Sequence, residues 1–489
     1  MPFNSYPYFL FLGLAVLGFH LLEARALTGR RVFLLLASYA FYAWWRADFL
    51  LLLAGSTLVN YALGREIEQR RARGLARRPL LIAGLVFNLG LIATFKYAGL
   101  LAGTANHIFG LGLPLPDFFL PLAISFFTFE QISYLVDADA GKTHHYSLLD
   151  YALFVAYFPH LIAGPIVRHN DLIPQFRHLR ARNDDLASGV TLFTIGLSKK
   201  SLIADNLAPF ADAIFNAAGR GTHLGATDSW LGMLFFAFQI YFDFSAYSDM
   251  ALGSSVMLGI RLPVNFHSPY KAASIIEFWR RWHISLSAFL RDYLYISLGG
   301  NRQGPPRRYM NLFITMLLGG LWHGASWTFM LWGGLHGLYL SINHAFRHAT
   351  KGIRAPAALK LPLHAASVAL TFLATSLAWI VFRAPDLASA RNVAEGLVGL
   401  GHSAVVSFSP LAAVALLLLF GMVWFMPNSM ELMWRHNPAL PSPYDNQPVK
   451  PARFLSWKPT PLNAAAYGLL CIVAVLALSN LKPFIYFQF

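Results

Sequence analysis

Two histidines carry the strongest promise of chemistry, His283 in FWRRWHISLS and His323 in MLLGGLWHGASW, both beside or inside apolar stretches. An imidazole with an ordinary pKa of about 6.5 takes and returns protons near neutral pH. At membrane depth a histidine is costly unless it pairs or works. The competing reading of His323 is a buried ring bonding across helices, since the glycines around it allow close packing or a helix break. For His283 the competing reading is an interfacial amphipathic helix. There Arg280 and Arg281 would sit at headgroup level, with Phe278, Trp279 and Trp282 as anchors. A third histidine, His336 in GGLHG, is harder to bring to the same place. On one continuous helix the two rings would lie roughly 20 Å and about 220° apart. Packing or gating is expected for His336, unless the helix breaks at Gly333–Gly334.

The stretch QIYFDFSAYSDMALG puts Asp243, Ser245, Tyr247 and Asp249 into an apolar segment. Two such aspartates pair or line a wet cavity. Channel lining, positioning and plain interhelical bonding all fit them. FFTFEQISYLVD adds Glu130 and Asp137, for which packing or lining is expected. The sequence closes on KPFIYFQF, where Pro483 disfavours a continuing helix and Tyr486 offers one hydroxyl. Composition reads this tail as an aromatic interfacial anchor. From Pro483, Tyr486 reaches only about 10 Å, so it meets a mid-membrane His323 only through an outward funnel. There is no HExxH, P-loop, GxSxG elbow or dinucleotide fingerprint, and no histidine spacing that suggests a metal.

The elements that must position these residues are apolar helices. Of 489 residues 56% are hydrophobic and 12% charged, against about 25% charged in soluble domains. Spans are expected near 6–23, 31–45, 47–63, 79–99, 117–137, 187–204, 229–260, 363–382, 410–426 and 462–481. A broken pair, 311–322 and 326–344, is interrupted at WHG, and the Pro-containing 150–166 segment reads as re-entrant. The first span is expected to be retained, because no basic leader or small-residue cleavage site accompanies it. The net charge of +15 collects in loops at 65–78, 167–182, 302–308, 347–360 and 435–458, with six arginines in the first. Such loops mark the cytoplasmic side, which puts both termini outside. Nothing in the pattern suggests nucleic acid. The single Cys471 excludes an intrachain disulfide.

Residues 277–337 closely resemble the signature region of the membrane-bound O-acyltransferase family, in its bacterial alginate O-acetyltransferase branch. FDFSAYSDMA resembles the family's FDFSGYSDMA, with Ala246 at the usual glycine. PVNFHSPYKAASIIEFWRRWH continues the pattern with His267 where asparagine is common. FPHLIAGPI has His160 at the usual glutamine. The resemblance implies one all-α polytopic membrane domain over 1–489, with a core at about 120–345 and C-terminal helices at 363–489. About eleven or twelve transmembrane helices, with re-entrant and interfacial ones, would surround a central tunnel.

It further implies His323 as the catalytic residue and His283 as a second active-site histidine. Asp243, Ser245, Tyr247, Asp249, Trp322, Arg280 and Arg281 would line or position. A C-terminal FxYFxF-like motif recurs in acylation systems of this family, which makes Tyr486 an acyl-carrier candidate. The implied activity is transfer of an acetyl group from a cytoplasmic thioester, acetyl-CoA or a similar donor, with no bound cofactor. The acceptor is an extracytoplasmic, alginate-like polysaccharide, served by an extracytoplasmic SGNH-like acetyltransferase partner, and the chain itself would sit in the bacterial inner membrane. A one-step transfer to glycan or lipid, a non-covalent transporter and an assembly scaffold are the competing readings.

Overall fold

The computed structural model describes residues 1–23, 26–116, 118–162, 164–353, 356–406, 409–444, 456–480 and 484–485, with side chains of 479 and 480 left aside. Among these residues every named element is helical. The only strand-like pairings are the isolated bridges Leu224–Ser403 and Pro263–Leu440.

The helices start where their sequences say they should. Pro461, Pro410 and Pro7 sit in first turns, where the missing N–H costs nothing. Ser147, Ser274, Ser326, Asp386 and Ser409 cap by accepting a backbone N–H two or three residues on. Arg78–Phe109, continuous through a π-turn, and Ala357–Arg383 are long and apolar enough to cross a membrane. Tyr6–Leu21, Pro410–Phe425 and Pro461–Leu476 are apolar but shorter.

The centre of the molecule is the 32-residue helix Ala226–Met257, buried on nearly all sides although it carries Asp243, Ser245 and Asp249. It packs closely on Asn183–Ser198. A Cβ at Gly196 would lie 2.6 Å from the Ala246 carbonyl oxygen, and one at Gly253 2.6 Å from that of Gly189. Small residues at this seam let two backbones meet, as membrane helix pairs require.

The interruption expected at WHG is real. Gly304–His323 ends at the histidine, Gly324 is extended, and Trp327–Ala349 returns against it. A Cβ at Gly320 would stand 2.2 Å from the Phe329 carbonyl oxygen, and one at Gly333 2.3 Å from that of Met316. The two GG pairs are therefore the contact that folds this hairpin. The 150–166 segment, expected to be re-entrant, forms the short buried helices Leu148–Ala156 and Phe158–Leu161.

Three expectations need correction. Phe278, Trp279 and Trp282 are not interfacial anchors, since they are 1%, 8% and 1% exposed inside the core. The helix of the third span runs on to Ala72, so several of the arginines after residue 65 ride on its last turns and not on a loop. Helices Asp205–Gly219 and Leu387–Leu397 were not anticipated. Both are amphipathic helices that bury one apolar face, Ile214 and Phe215 on the first and Val393 on the second. Polar contacts add to it: Asp212 pairs with Arg383 at 2.6 Å, and Asn392 donates to the Thr222 carbonyl.

Candidate active site

His323 is the last residue of its helix, so the chain's departure at Gly324 leaves its ring among side chains from four elements. Its ring centroid lies 5.0 Å from Trp322, 5.1 Å from Trp332, 5.4 Å from Phe382 and 6.4 Å from His283. Sequence reading paired the two histidines, and the structure brings them together.

The terminal carbonyls of that helix have no intrahelical donors. Lys96 supplies some: its Nζ donates to the carbonyl oxygens of Trp322 at 2.6 Å and His323 at 3.2 Å. Tyr97 does the same for Leu321 at 2.7 Å. A cation at a helix C-terminus also opposes the macrodipole. Lys96 was missed in the sequence, although a lysine inside the apolar 79–99 stretch was the available signal.

His283 sits at the joint between Ile275–Arg281 and Ile284–Phe289, with φ 42° and ψ 56°. A non-glycine residue in this left-handed region costs about 1–3 kcal/mol and persists only where its surroundings fix it. Asn265 does the fixing. Its carbonyl oxygen accepts the Ile284 N–H at 3.0 Å, and its Oδ1 accepts the Ser285 N–H at 3.3 Å and the Ser285 hydroxyl at 3.0 Å. The same Oδ1 lies 3.0 Å from His283 Nδ1. Because Oδ1 is an acceptor, Nδ1 carries the proton, and neutral His283 then offers a lone pair at Nε2. Nε2 is buried with no hydrogen-bond partner among the described residues.

A cavity of about 550 Å³ reaches the His323 and Trp322 rings, lined also by Met1, Trp45, Lys96 and Ser125. The Trp322 and Trp332 indole N–H groups are buried without an acceptor among the described residues. Donors left this way cost roughly 1–3 kcal/mol each, so they are ready for a ligand oxygen.

His336 corrects its expected geometry. The helix does not continue from His323, so the separation along one axis does not apply. The hairpin places Trp332 between them, its ring 5.1 Å from His323 and 4.8 Å from His336. His336 Nδ1 accepts the Trp279 indole N–H at 3.2 Å. It packs behind the site, as expected of it, for a different reason.

The two aspartates do not pair with each other. Asp249 takes Lys199 at 2.7 Å and the Ser429 hydroxyl at 2.5 Å. Asp243 takes Lys200 at 2.8 Å through Oδ1 and the backbone N–H of Ile485 at 2.8 Å through Oδ2. Lys199 and Lys200, in a π-turn of LSKKS, were the missed partners. Ser245 contacts only the Phe242 carbonyl of its own helix, at 3.5 Å. The Tyr247 hydroxyl donates to Asn4 at 2.9 Å, and its ring stacks on Phe484 at 4.0 Å. Tyr486 lies outside the described residues. Its neighbours Phe484 and Ile485 are 1% and 2% exposed, so this part of the tail is inside the protein and not at an interface. Arg281 pairs with Glu277 at 2.7 Å, and Arg280 is exposed, so neither reaches the two histidines. Glu130–His160 and Asp137–His169, each at 3.1 Å, are buried pairs in the packing.

The fold is helical and brings two histidines together, one of them on the wall of a cavity, and similarity to known proteins gives the class, a membrane-bound acyltransferase. The chain belongs to the membrane-bound O-acyltransferase family, whose model matches residues 119–382. It is 44% identical to the probable alginate O-acetylase AlgI of Pseudomonas aeruginosa, over 82% of this chain and 75% of the relative. It is 43% identical to the peptidoglycan O-acetyltransferase of Helicobacter pylori, over 80% and 78%. Against the teichoic acid D-alanyltransferase of Streptococcus thermophilus it is 29% identical, over 53% and 68%. The transporter and scaffold readings give way to an enzyme.

Proposed function

We propose that this enzyme moves an acetyl group from acetyl-CoA or a similar cytoplasmic thioester to the outer side of a bacterial inner membrane, for O-acetylation of an alginate-like polysaccharide. The observation that carries the reading is the His283–His323 pair, 6.4 Å apart by ring centroid, with His323 lining the cavity beside Met1 and Trp45. On the topology set by the basic loops, that cavity opens outward. The names of the relatives, with alginate and peptidoglycan as acceptors, support a polymer on that side.

His323 removes the acceptor hydroxyl's proton, and the oxygen attacks the thioester carbonyl. The C–O bond forms, the C–S bond breaks, and His323 returns the proton to the leaving sulfur. A positioned base of this kind contributes roughly 10²–10⁴-fold. With its Nδ1 proton committed to Asn265, His283 presents an acceptor and not a donor. It is therefore assigned to orienting the hydroxyl, not to the oxyanion. The Trp322 indole N–H is the donor assigned to the oxyanion.

The first acceptor is Tyr486, loaded as an acetyl ester, from which an SGNH-like extracytoplasmic acetyltransferase passes the group to the glycan. The seating of Phe484 and Ile485 in the core supports this route over direct transfer. About eleven or twelve crossings around a tunnel, with both termini outside, complete the arrangement. Labelled-acetyl transfer from acetyl-CoA by the purified enzyme tests the reading. Wild type should release CoA in step with protein-bound acetyl, and His323→Ala should do neither. Equal transfer by His323→Ala would refute it.

A further inference from the structure

Asp243 divides its two oxygens between a cation and a piece of distant backbone. Oδ1 meets Lys200 Nζ at 2.8 Å, and Oδ2 accepts the Ile485 N–H at 2.8 Å, 242 residues along the chain. The Asp243 and Lys200 side chains are each 2% exposed, and Lys200 also holds Asp205 at 2.8 Å. A buried carboxylate is tolerated only when paired and hydrogen-bonded, and the tail amide supplies the hydrogen bond to Asp243 Oδ2. The rings beside it are arranged for the same segment. Phe484 stacks on Tyr247 at 4.0 Å and 26° and lies 5.6 Å from Phe244, which also packs against His283 at 4.7 Å.

We propose that Asp243, charge-coupled to Lys200, is a seat that fixes the register of the C-terminal tail, making both residues positioning residues for the acyl acceptor. The catalytic meaning of the seat rests on Tyr486 being that acceptor; the seat itself does not. An N–H held by a carboxylate is a charge-assisted bond, about twice as strong as a neutral one. It reads backbone position and not side-chain identity. The aromatic slot made by Tyr247 and Phe244 adds the side-chain requirement at position 484. Together they fix the tail one residue before Tyr486, whose Cα follows at about 3.8 Å. With Tyr486 as the acceptor, a slip of one residue in this seat would change the register in which its hydroxyl is presented. The polar FDFSAYSD pattern inside an apolar helix thereby gains a purpose: Asp243 and Tyr247, one helical turn apart, face the tail together.

Hydrogen exchange read by mass spectrometry in the peptide containing Ile485 tests the seat without any acyl donor. Two variants are compared with wild type. Asp243→Ala/Lys200→Met removes both charges, so neither is stranded, and Asp243→Asn keeps shape and an acceptor while losing the charge. Exchange of the tail amide should quicken at least about 10-fold in the first and severalfold in the second, because local opening sets its rate. Elution volume in detergent should stay that of wild type. Tail exchange equal to wild type in both variants would overturn the seat. In parallel, acetyl loading of Tyr486 should fall in the maximal rate with the KM for acetyl-CoA unmoved. Wild type that never loads Tyr486 would remove the carrier reading, while the exchange result would still decide the seat.

Discussion

Asn265 Oδ1 lies 3.0 Å from His283 Nδ1 while also accepting the Ser285 N–H, and this one amide fixes both the tautomer and the strained backbone of a catalytic candidate. Orientation of a histidine by a partner on its far nitrogen is a recurrent catalytic device. Here the same residue also sustains a φ of 42° that a histidine does not favour by itself.

Asn265→Leu should therefore cost activity through His283. The maximal rate of acetyl transfer should fall by about 10–100-fold, the range set by losing a ring's orienting partner. The KM for acetyl-CoA should hold. His283→Ala should produce a similar loss, and adding Asn265→Leu to it should cost little more. Additive losses would show that Asn265 acts elsewhere.

Removing only the indole N–H tests the oxyanion assignment. Trp322→Phe keeps a ring against His323 and takes away the buried donor. Loss of one oxyanion donor typically costs about 10²–10³ in maximal rate. Steady-state kinetics of a protein with unchanged thermal stability should show a loss of that order, and a rate within a few-fold of wild type would exclude the role.

Lys96 holds the last carbonyls of the His323 helix, so Lys96→Met should loosen that helix end. Activity should drop by at least about 10-fold, since placement errors near 1 Å reach 10²-fold. Lys96→Arg should recover part of it by restoring a cation and donors. Equal defects in both would argue against capping.

The hairpin leaves no room at its crossing. A Cβ at Gly320 would meet the Phe329 carbonyl oxygen at 2.2 Å, a backbone atom that cannot swing away. Gly320→Val should lower stability by at least about 1–3 kcal/mol, the usual cost of overpacking. Thermal unfolding in detergent measures this. A midpoint equal to wild type would mean that the helices do not cross there.

Much of this was legible in the sequence. The apolar runs marked most of the helices, the WHG interruption marked the hairpin, and the two histidines singled out in the sequence, His283 and His323, stand 6.4 Å apart by ring centroid. A search for long apolar runs passes over amphipathic helices such as Asp205–Gly219 and Leu387–Leu397, which bury one apolar face only. The sequence also left Phe278, Trp279 and Trp282 open between an interface and the core, because an aromatic ring beside arginines suits both, and burial decides for the core. Asp243 and Asp249 were visible as intramembrane charges, yet their partners Lys200 and Lys199 lie 43 and 50 residues away. Spacing along one helix says nothing about such a partner. His336 shows the converse error: a sound helical calculation fails once the chain turns at Gly324.

The central claim is that acetyl passes through Tyr486 under the action of His323. Intact mass spectrometry of the purified protein incubated with acetyl-CoA, beside Tyr486→Phe and His323→Ala, tests it most directly. Wild type should gain the mass of one acetyl group and both variants should gain none. An adduct that persists in Tyr486→Phe, or no adduct in wild type while a reconstituted glycan becomes acetylated, would contradict the tyrosine relay.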